Sequence, residues 1–482
     1  MFFNSLDFAV FFPVVFVLYW LVARNRIYRN LLLLVASYVF YGWWDWRFLF
    51  LIFISSLVDF FVGQYIYKTD DQKRRKIFLF VSLAVNLGFL IYFKYTNFFI
   101  DTFVDSFRLF GKELEVTSLN IILPVGISFY TFQTLSYTID IYRRQLEPTK
   151  DALSFFAFVA FFPQLVAGPI ERATHLLPQF YKTYKFNYKQ VKSGLLLIAF
   201  GLFKKMVIAD RAAVYVNEIY NHPLEFQGIQ VILATVLFAF QIYCDFSGYS
   251  DIAIGIARTM GFDLMKNFDS PYFSKSITEF WRRWHISLST WFRDYVYIPL
   301  GGSRVGKYRM YLNLFLVFFI SGIWHGAAMT FVIWGAIHGV IIVLEKATFK
   351  TKNAIYVSSG LNKNTFSNNL FFTTITFIVV CFAWVFFRAN SVHDAFLILK
   401  QSFVFSNSEG IYTAGIDAYN MNILLVSILI LIMFELTHKR INLYHFLNNQ
   451  SVVFRWSVYF FIIFSIFVFR ELTIQEFIYF QF

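Results

Sequence analysis

Apolar runs of about 20 residues recur along this chain, separated by short segments rich in Lys and Arg. A helix of that length crosses roughly 30 Å of hydrocarbon, so each run predicts a membrane span or a half-crossing. The predicted spans are 7–23, 31–46, 48–67, 77–95, 119–141, 152–168, 191–209, 229–244, 309–321, 324–346, 370–388, 420–437 and 454–470. We therefore expect an all-α polytopic membrane protein with about eleven to thirteen transmembrane or re-entrant helices, forming one domain over residues 1–482.

The basic residues between the apolar runs predict an orientation. Those that follow the first, third and fifth spans are Arg24, Arg26 and Arg29, then Lys73 to Lys76, then Arg143, Arg144 and Lys150. Because Lys and Arg favour cytoplasmic loops, these exits are expected in the cytoplasm and the N-terminus outside. Met1–Asp7 has no Lys or Arg, so the first span is expected to be retained rather than cleaved as a signal peptide.

One apolar segment breaks the alternation of sides. Asp151–Gly168 is short, contains Pro163 and has basic residues on both flanks. Cytoplasmic charge at both ends favours a re-entrant segment, whose irregular backbone must be buried in protein or line a wet cavity. A kinked spanning helix remains an alternative, because Pro and Gly are common in membrane helices.

The amino-acid composition supports a membrane protein and argues against a soluble or nucleic-acid-binding protein. The 482 residues are 58% hydrophobic and only 15% charged, against about a quarter charged in a typical soluble protein. The net charge of +13 lies in short loops, so it predicts membrane topology and contact with lipids, not nucleic-acid binding. Cys244 and Cys381 both lie in apolar runs, which implies neither a disulfide nor a metal site.

The polar stretch from Gly261 to Lys307 predicts an interfacial helix near residues 277–295. One stripe of this helix is apolar and carries Trp281, Trp284, Leu288 and Trp291, and the neighbouring stripe carries Arg282, His285, Ser289 and Arg293. Arg282 and Arg283 could bind a phosphate-bearing donor through their guanidinium groups. Anchoring to anionic lipid headgroups is the alternative, and it accounts for the arginines better than for the histidine.

His325 is an ionisable residue inside the apolar stretch Leu312–Leu344. Such residues at membrane depth are costly and usually functional, and imidazole moves protons near neutral pH. A structural histidine bonded to a carbonyl group fits the position equally well. If Gly322–Glu345 is one straight helix, His338 points about 140° away from His325 and packs structurally.

A polar patch begins near the end of the span 229–244 and continues beyond it. Its members are Gln241, Asp245, Ser247, Ser250 and Asp251. They could shape a substrate channel or bond neighbouring helices, and the sequence leaves both possibilities open. The chain lacks the motifs of P-loop nucleotide hydrolysis, zinc proteolysis and serine hydrolases.

Five ordered blocks resemble the membrane-bound O-acyltransferase family, specifically its bacterial alginate O-acetylation branch. They are Phe161–Ile170, Gln241–Asp251, Glu279–Gly302, Gly322–Gly326 and Trp384–Arg388. The resemblance extends over essentially the whole chain and includes Met1–Phe8. It implies a ring of helices around a central catalytic pore, which the donor enters from the cytoplasm and the acceptor from the opposite side.

The resemblance also implies roles and partners. His325 corresponds to the near-invariant catalytic histidine, and His285 to the second site residue. The implied donor is acetyl-coenzyme A, a substrate rather than a permanently bound cofactor; Arg282, Arg283 and Ser289 are then the expected contacts for its phosphates. An acetyl group would cross the bacterial inner membrane for O-acetylation of an exported, alginate-like polysaccharide. The implied partner is a periplasmic or membrane-anchored acetyltransferase of the serine–glycine–asparagine–histidine (SGNH) hydrolase type.

Other functions remain open from the sequence. An acyltransferase of this kind could serve peptidoglycan, teichoic acid D-alanylation or a lipid. A protein of another class, a transporter that moves an acylated intermediate without catalysis, would have similar composition. Loss of acetyl transfer on His325→Ala substitution would favour the enzyme over the transporter.

Overall fold

A computed structural model describes residues 1–109, 111, 119, 121–359, 365–405, 415–438, 443–471 and 475–480, among which there is no β-strand. The α-helices are α1 (Leu6–Val22), α2 (Arg26–Asp45), α3 (Leu49–Lys68), α4 (Gln72–Leu90), α5 (Thr96–Leu109), α6 (Ile127–Tyr142), α7 (Ala152–Val159), α8 (Phe162–Leu165), α9 (Ala173–Leu176), α10 (Tyr188–Phe203), α11 (Asp210–Asn221), α12 (Ile229–Thr259), α13 (Ile277–Arg283), α14 (Ile286–Phe292), α15 (Lys307–His325), α16 (Met329–Ser358), α17 (Phe366–Arg388), α18 (Val392–Gln401), α19 (Ala418–His438), α20 (Leu443–Asn448) and α21 (Val452–Phe469). Single π-helical segments follow α4, α10 and α14 at Ile91–Tyr95, Lys204–Ala209 and Arg293–Tyr297.

Seven segments of the described chain are long and apolar enough to cross a membrane. They are Arg26–Lys68, Gln72–Arg108, Ile229–Thr259, Met329–Lys352, Phe366–Arg388, Ala418–Thr437 and Val452–Phe469. This confirms the predicted all-α polytopic fold. The predicted spans 370–388, 420–437 and 454–470 match α17, α19 and α21 to within a few residues.

The described residues form two compact units. One consists of Met1–Ile198 with Ser250–Met265, and the other of Ala199–Tyr249 with Lys266–Phe482. The expectation of a single domain over residues 1–482 remains a prediction.

In the first unit, helices α3, α4 and α6 surround a buried carboxylate. Asp59 is fully buried, and its oxygens accept hydrogen bonds from Ser82 Oγ at 2.6 Å and Asn86 Nδ2 at 2.9 Å. Ser82 Oγ also lies 3.0 Å from Thr138 Oγ1 on α6. Because an ionisable residue at membrane depth must be paired, this network explains how the apolar helix α3 accommodates Asp59.

The segment 152–168 is not one kinked spanning helix. It forms α7, which has eight residues, and α8, which has four, so neither exceeds about 12 Å in length. Hydrogen bonds to α2 hold both pieces: Asn30 Nδ2 donates to Ser154 Oγ at 2.9 Å, and Phe162 N donates to Ser37 Oγ at 3.0 Å. This buried, irregular arrangement agrees with the re-entrant interpretation.

In the second unit, α15 and α16 form an antiparallel hairpin with close backbone contact. A Cβ atom at Gly335 would lie 2.5 Å from the carbonyl oxygen of Phe318, and one at Gly322 would overlap that of Phe331. Small residues permit such close approach between membrane helices. Residues 322–345 do not form one straight helix, as the argument about His338 assumed, because α15 ends at His325 and α16 begins at Met329.

Helix α12 is longer than the sequence pattern predicted. The predicted span ends at 244, whereas the helix continues to Thr259. The polar patch thus lies within a helix rather than beside a span, and Asp245, Ser247 and Ser250 are all buried. Hydrophobicity alone missed this extension because the buried side chains there are polar and find partners inside the protein.

Candidate active site

His325 is the last residue of α15, at the point where the helical hairpin reverses. Its side chain is buried, and Gly326 follows in an extended conformation. The imidazole meets the ring of Trp334 edge-on at 4.9 Å between centroids and that of Phe387 at 5.6 Å. Trp334 comes from α16 and Phe387 from α17, so three helices place His325 among aromatic side chains.

His285 lies between α13 and α14 in a left-handed conformation with φ of 44°. The predicted continuous helix near 277–295 is therefore wrong: it breaks at this residue. Asn267 supplies the replacement hydrogen bonds, its backbone oxygen accepting from Ile286 N at 2.9 Å and its side-chain oxygen from Ser287 Oγ at 2.9 Å. A tertiary contact thus satisfies the start of α14, which a helical pattern could not reveal.

The Asn267 side chain also orients the His285 ring. Nδ1 of His285 lies 3.0 Å from Oδ1 of Asn267, an oxygen that can only accept. The ring therefore donates from Nδ1, which leaves Nε2 as the basic nitrogen of the neutral imidazole. Burial lowers the pKa of His285 to about 3, so this neutral form is the one present at pH 7.

The apolar stripe of the predicted interfacial helix is buried within the second unit. Trp281, Trp284, Leu288 and Trp291 are each no more than 6% exposed. Trp281 Nε1 donates to Nδ1 of His338 at 3.2 Å, and this histidine is fully buried. His338 thus packs structurally, as expected, although the straight-helix argument for it does not apply.

Tyr479 brings the two candidate histidines together. Its ring centroid lies 5.7 Å from that of His325 and 6.4 Å from that of His285. Phe246 of α12 packs against both His285, at 4.6 Å, and Tyr479, at 4.5 Å. Sequence reasoning missed Tyr479 and Asn267, because neither stands in a recognisable motif or shares a helix with the histidines.

The three predicted donor-binding residues, Arg282, Arg283 and Ser289, differ in their solvent exposure and in the groups that they contact. Arg283 forms an ion pair with Glu279, Nη2 to Oε1 at 2.7 Å, whereas the side chain of Arg282 is exposed. Ser289 is half-buried, and its hydroxyl donates to the backbone oxygen of Trp284 at 3.3 Å. Of the two arginines, Arg282 has the more accessible positive charge.

Chemically, the site consists of two imidazoles in aromatic surroundings. Such surroundings exclude water, and a neutral imidazole within hydrogen-bond reach of a hydroxyl can take its proton. No group of three or more His, Cys, Asp or Glu side chains suited to a metal ion occurs in the described parts of the chain. Two imidazoles in such surroundings can carry out acid–base chemistry.

Comparisons with known proteins converge on one group. A model of the membrane-bound O-acyltransferase family matches residues 142–387, a range that includes His285 and His325. The chain is 40% identical over 399 residues to a probable alginate O-acetylase AlgI of Pseudomonas syringae pv. tomato, covering 83% of this chain and 74% of that protein.

Two further relatives are named for polymers other than alginate. A peptidoglycan O-acetyltransferase of Helicobacter pylori is 36% identical over 419 residues, with 81% of this chain and 77% of that protein covered. A teichoic acid D-alanyltransferase of Bacillus subtilis is 30% identical over 287 residues, with 57% of this chain and 71% of that protein covered. The names of these relatives thus include two acyl groups, acetyl and D-alanyl, and three polymers.

Proposed function

Because the chain belongs to the membrane-bound O-acyltransferase family, we propose that it passes an acetyl group from cytoplasmic acetyl-coenzyme A across the membrane for O-acetylation of an exported, alginate-like polysaccharide. That it is a multi-pass membrane O-acyltransferase follows from the family and from the names of its relatives. Acetyl as the acyl group and alginate as the polymer are supported by the alginate O-acetylase relatives.

The observation that carries the proposal is the grouping of His325 and His285 around Tyr479. In the proposed reaction, His325 takes the proton of an acceptor hydroxyl as its oxygen attacks the thioester carbon. The carbon–sulfur bond then breaks, and the same imidazole returns the proton to the departing thiolate. General-base catalysis of this kind contributes roughly 10²–10⁴-fold in rate.

The other predicted site residues take supporting roles in the proposal. His285, oriented by Asn267, supplies its Nε2 as a second basic nitrogen at the site. Arg282 attracts the phosphates of the donor, since guanidinium groups bind phosphate oxygens strongly. The proposed setting is the bacterial inner membrane, with the N-terminus outside and an SGNH-type acetyltransferase completing transfer to the sugar hydroxyls.

The test is acetyl transfer by the purified protein in liposomes, with acetyl-coenzyme A on one side and the partner enzyme and polysaccharide on the other. His325→Ala should lower the transfer rate about 10²–10⁴-fold because the proton acceptor is gone. His338→Ala is the matched control, since it removes a buried histidine of the same hairpin that contacts Trp281 rather than Tyr479.

Unchanged transfer by a folded His325→Ala protein would contradict the catalytic proposal and favour a non-catalytic transporter.

The same assay tests the other acyl groups and acceptor polymers. Supplying a D-alanyl donor, or replacing the alginate with peptidoglycan or teichoic acid, identifies the pair that the protein uses.

A further inference from the structure

The carboxy-terminal segment 475–480 carries Tyr479 to the two histidines, and a buried charge cluster fastens it there. We propose that Lys205 and Asp245 are positioning residues that hold this segment against the candidate active site. The proposal rests on the proposed acyl transfer, because it assigns these residues a part in that reaction.

Two backbone contacts fasten the segment. Ile478 N donates to Oδ2 of Asp245 at 2.7 Å, and Lys205 Nζ donates to the backbone oxygen of Gln475 at 3.2 Å. The anchored Ile478 is the immediate neighbour of Tyr479, and it is 3% exposed. Movement at Asp245 is therefore transmitted over one peptide unit to Tyr479, whereas Lys205 holds the segment four residues earlier.

The anchors belong to one buried ion cluster. Lys205 Nζ lies 2.7 Å from Oδ1 of Asp245 and 2.7 Å from Oδ1 of Asp210, and all three side chains are no more than 5% exposed. Removing such charges from water costs several kcal/mol per ion, so a buried cluster is weak evidence for added stability. The cost of burying these charges is best explained if the cluster fixes one conformation of the carboxy-terminal segment. Lys205 and Asp245 each also form a hydrogen bond with that segment.

The local helix geometry supports the same role. Lys205 lies in the π-helical segment Lys204–Ala209, in which Asp210 N donates to the oxygen of Lys205. The carbonyl oxygen of Met206 accepts from Glu471 N at 3.0 Å, a third link to the carboxy-terminal region. Single π-turns within α-helices occur frequently at functional sites.

The connection to the histidines passes through the residue after Asp245. Phe246 contacts both the His285 ring and the Tyr479 ring. One turn of α12 thus anchors the backbone of the segment with Asp245 and packs its tyrosine with Phe246. Displacing the segment would alter the surroundings of both imidazoles without removing either, and misplacement by about 1 Å can cost about 10²-fold in rate.

The experiment compares Asp245→Ala, Asp245→Asn and Lys205→Met in the full-length protein. Hydrogen exchange of peptides covering 475–480 reports whether the segment is held, and kcat and KM for acetyl-coenzyme A report the reaction. We expect faster exchange at 475–480 and a kcat lowered up to about 10²-fold, with KM changed less than about threefold. Asp245→Asn keeps an oxygen that can accept from Ile478 N. We therefore expect a smaller rise in exchange and a smaller fall in kcat than in Asp245→Ala.

Lys204→Met is the matched control. Lys204 is the adjacent buried lysine of the same π-segment, and its Nζ donates to Ser247 Oγ at 2.9 Å. We expect exchange at 475–480 to remain as in the unsubstituted protein. If exchange at 475–480 rose as much in Lys204→Met as in Lys205→Met, loss of either buried lysine would loosen the packing in the same way. That result would overturn the proposal.

Two further outcomes would also overturn it. Exchange at 475–480 could stay slow in Asp245→Ala and Lys205→Met, which would show that these residues do not hold the segment. Alternatively, exchange could rise while kcat stays unchanged, which would show that the segment does not serve the reaction. The exchange result does not depend on the activity of His325→Ala, so failure of this proposal and failure of the proposed function are distinguishable.

Discussion

At the scale of single residues, the site depends on a backbone conformation that most side chains avoid. A left-handed conformation costs a residue with a Cβ roughly 1–2 kcal/mol, and His285 adopts it with φ of 44°. The hydrogen bonds from Ile286 N and Ser287 Oγ to Asn267 offset that cost. Strained residues of this kind cluster at functional sites, which agrees with a role for His285 in the reaction.

Arg282 provides a residue-scale test of donor binding. Arg282→Gln should raise KM for acetyl-coenzyme A about tenfold or more, because a charge-assisted hydrogen bond contributes roughly 1.5–3 kcal/mol and 1.4 kcal/mol is tenfold. Initial rates across donor concentrations measure this, with kcat expected to stay unchanged. Arg283→Gln is the control with a smaller expected effect, since Glu279 already pairs that guanidinium group. An unaltered KM in Arg282→Gln would remove this residue from the donor site.

At the scale of helices, glycine contacts in the α15–α16 hairpin fix where His325 lies. A Cβ at Gly335 would meet the backbone oxygen of Phe318 at 2.5 Å, and that oxygen cannot move aside like a side-chain end. Gly335→Ala should therefore lower stability by about 1–3 kcal/mol, as overpacking does. Thermal unfolding in detergent measures the change as a lower Tm.

Gly88→Ala is the control for the hairpin. It also lies in a helix, but apart from its chain neighbours and the adjacent backbone of its own helix, no heavy atom lies within 4 Å of the added Cβ. Alanine should there raise stability by about 0.5–1 kcal/mol, because glycine loses more backbone freedom on folding. Equal Tm values for Gly335→Ala and Gly88→Ala would argue against close packing of the hairpin.

Sequence periodicity predicted most helices but not their breaks. His325 was identifiable because an ionisable residue in an apolar run is unusual. The break at His285 was not, since it depends on hydrogen bonds to Asn267, a residue in a non-helical segment 18 positions earlier. Tyr479 was hidden for a related reason: in a chain with 29 tyrosines and 67 phenylalanines, one more aromatic residue has no distinctive pattern.

At the scale of the whole molecule, the prediction of an external N-terminus can be tested at the two ends of α3. Trp46, just before this helix, is 73% exposed, and the side chain of Asp70, just after it, is fully exposed. The helix has 20 residues, enough to cross about 30 Å. The two native cysteines are buried and should give little background labelling.

In intact cells, a membrane-impermeant maleimide should label Trp46→Cys but not Asp70→Cys, because the orientation predicted from the basic residues places the Asp70 end in the cytoplasm. After permeabilisation, both variants should react. Labelling of Asp70→Cys alone in intact cells would reverse the orientation, and labelling of both would mean that α3 does not cross.

The wide turn at Lys204–Ala209 has an evolutionary consequence. Its backbone bond joins Asp210 to Lys205 rather than to Met206, so the chain there carries the surplus of a single amino acid over a regular helical turn. Loss of one codon would let the turn tighten into a regular helical turn and leave the helix on either side in its present register. Lineages that lack one codon between Lys205 and Asp210 should therefore keep both flanking helices, with the lysine and the aspartate four rather than five positions apart.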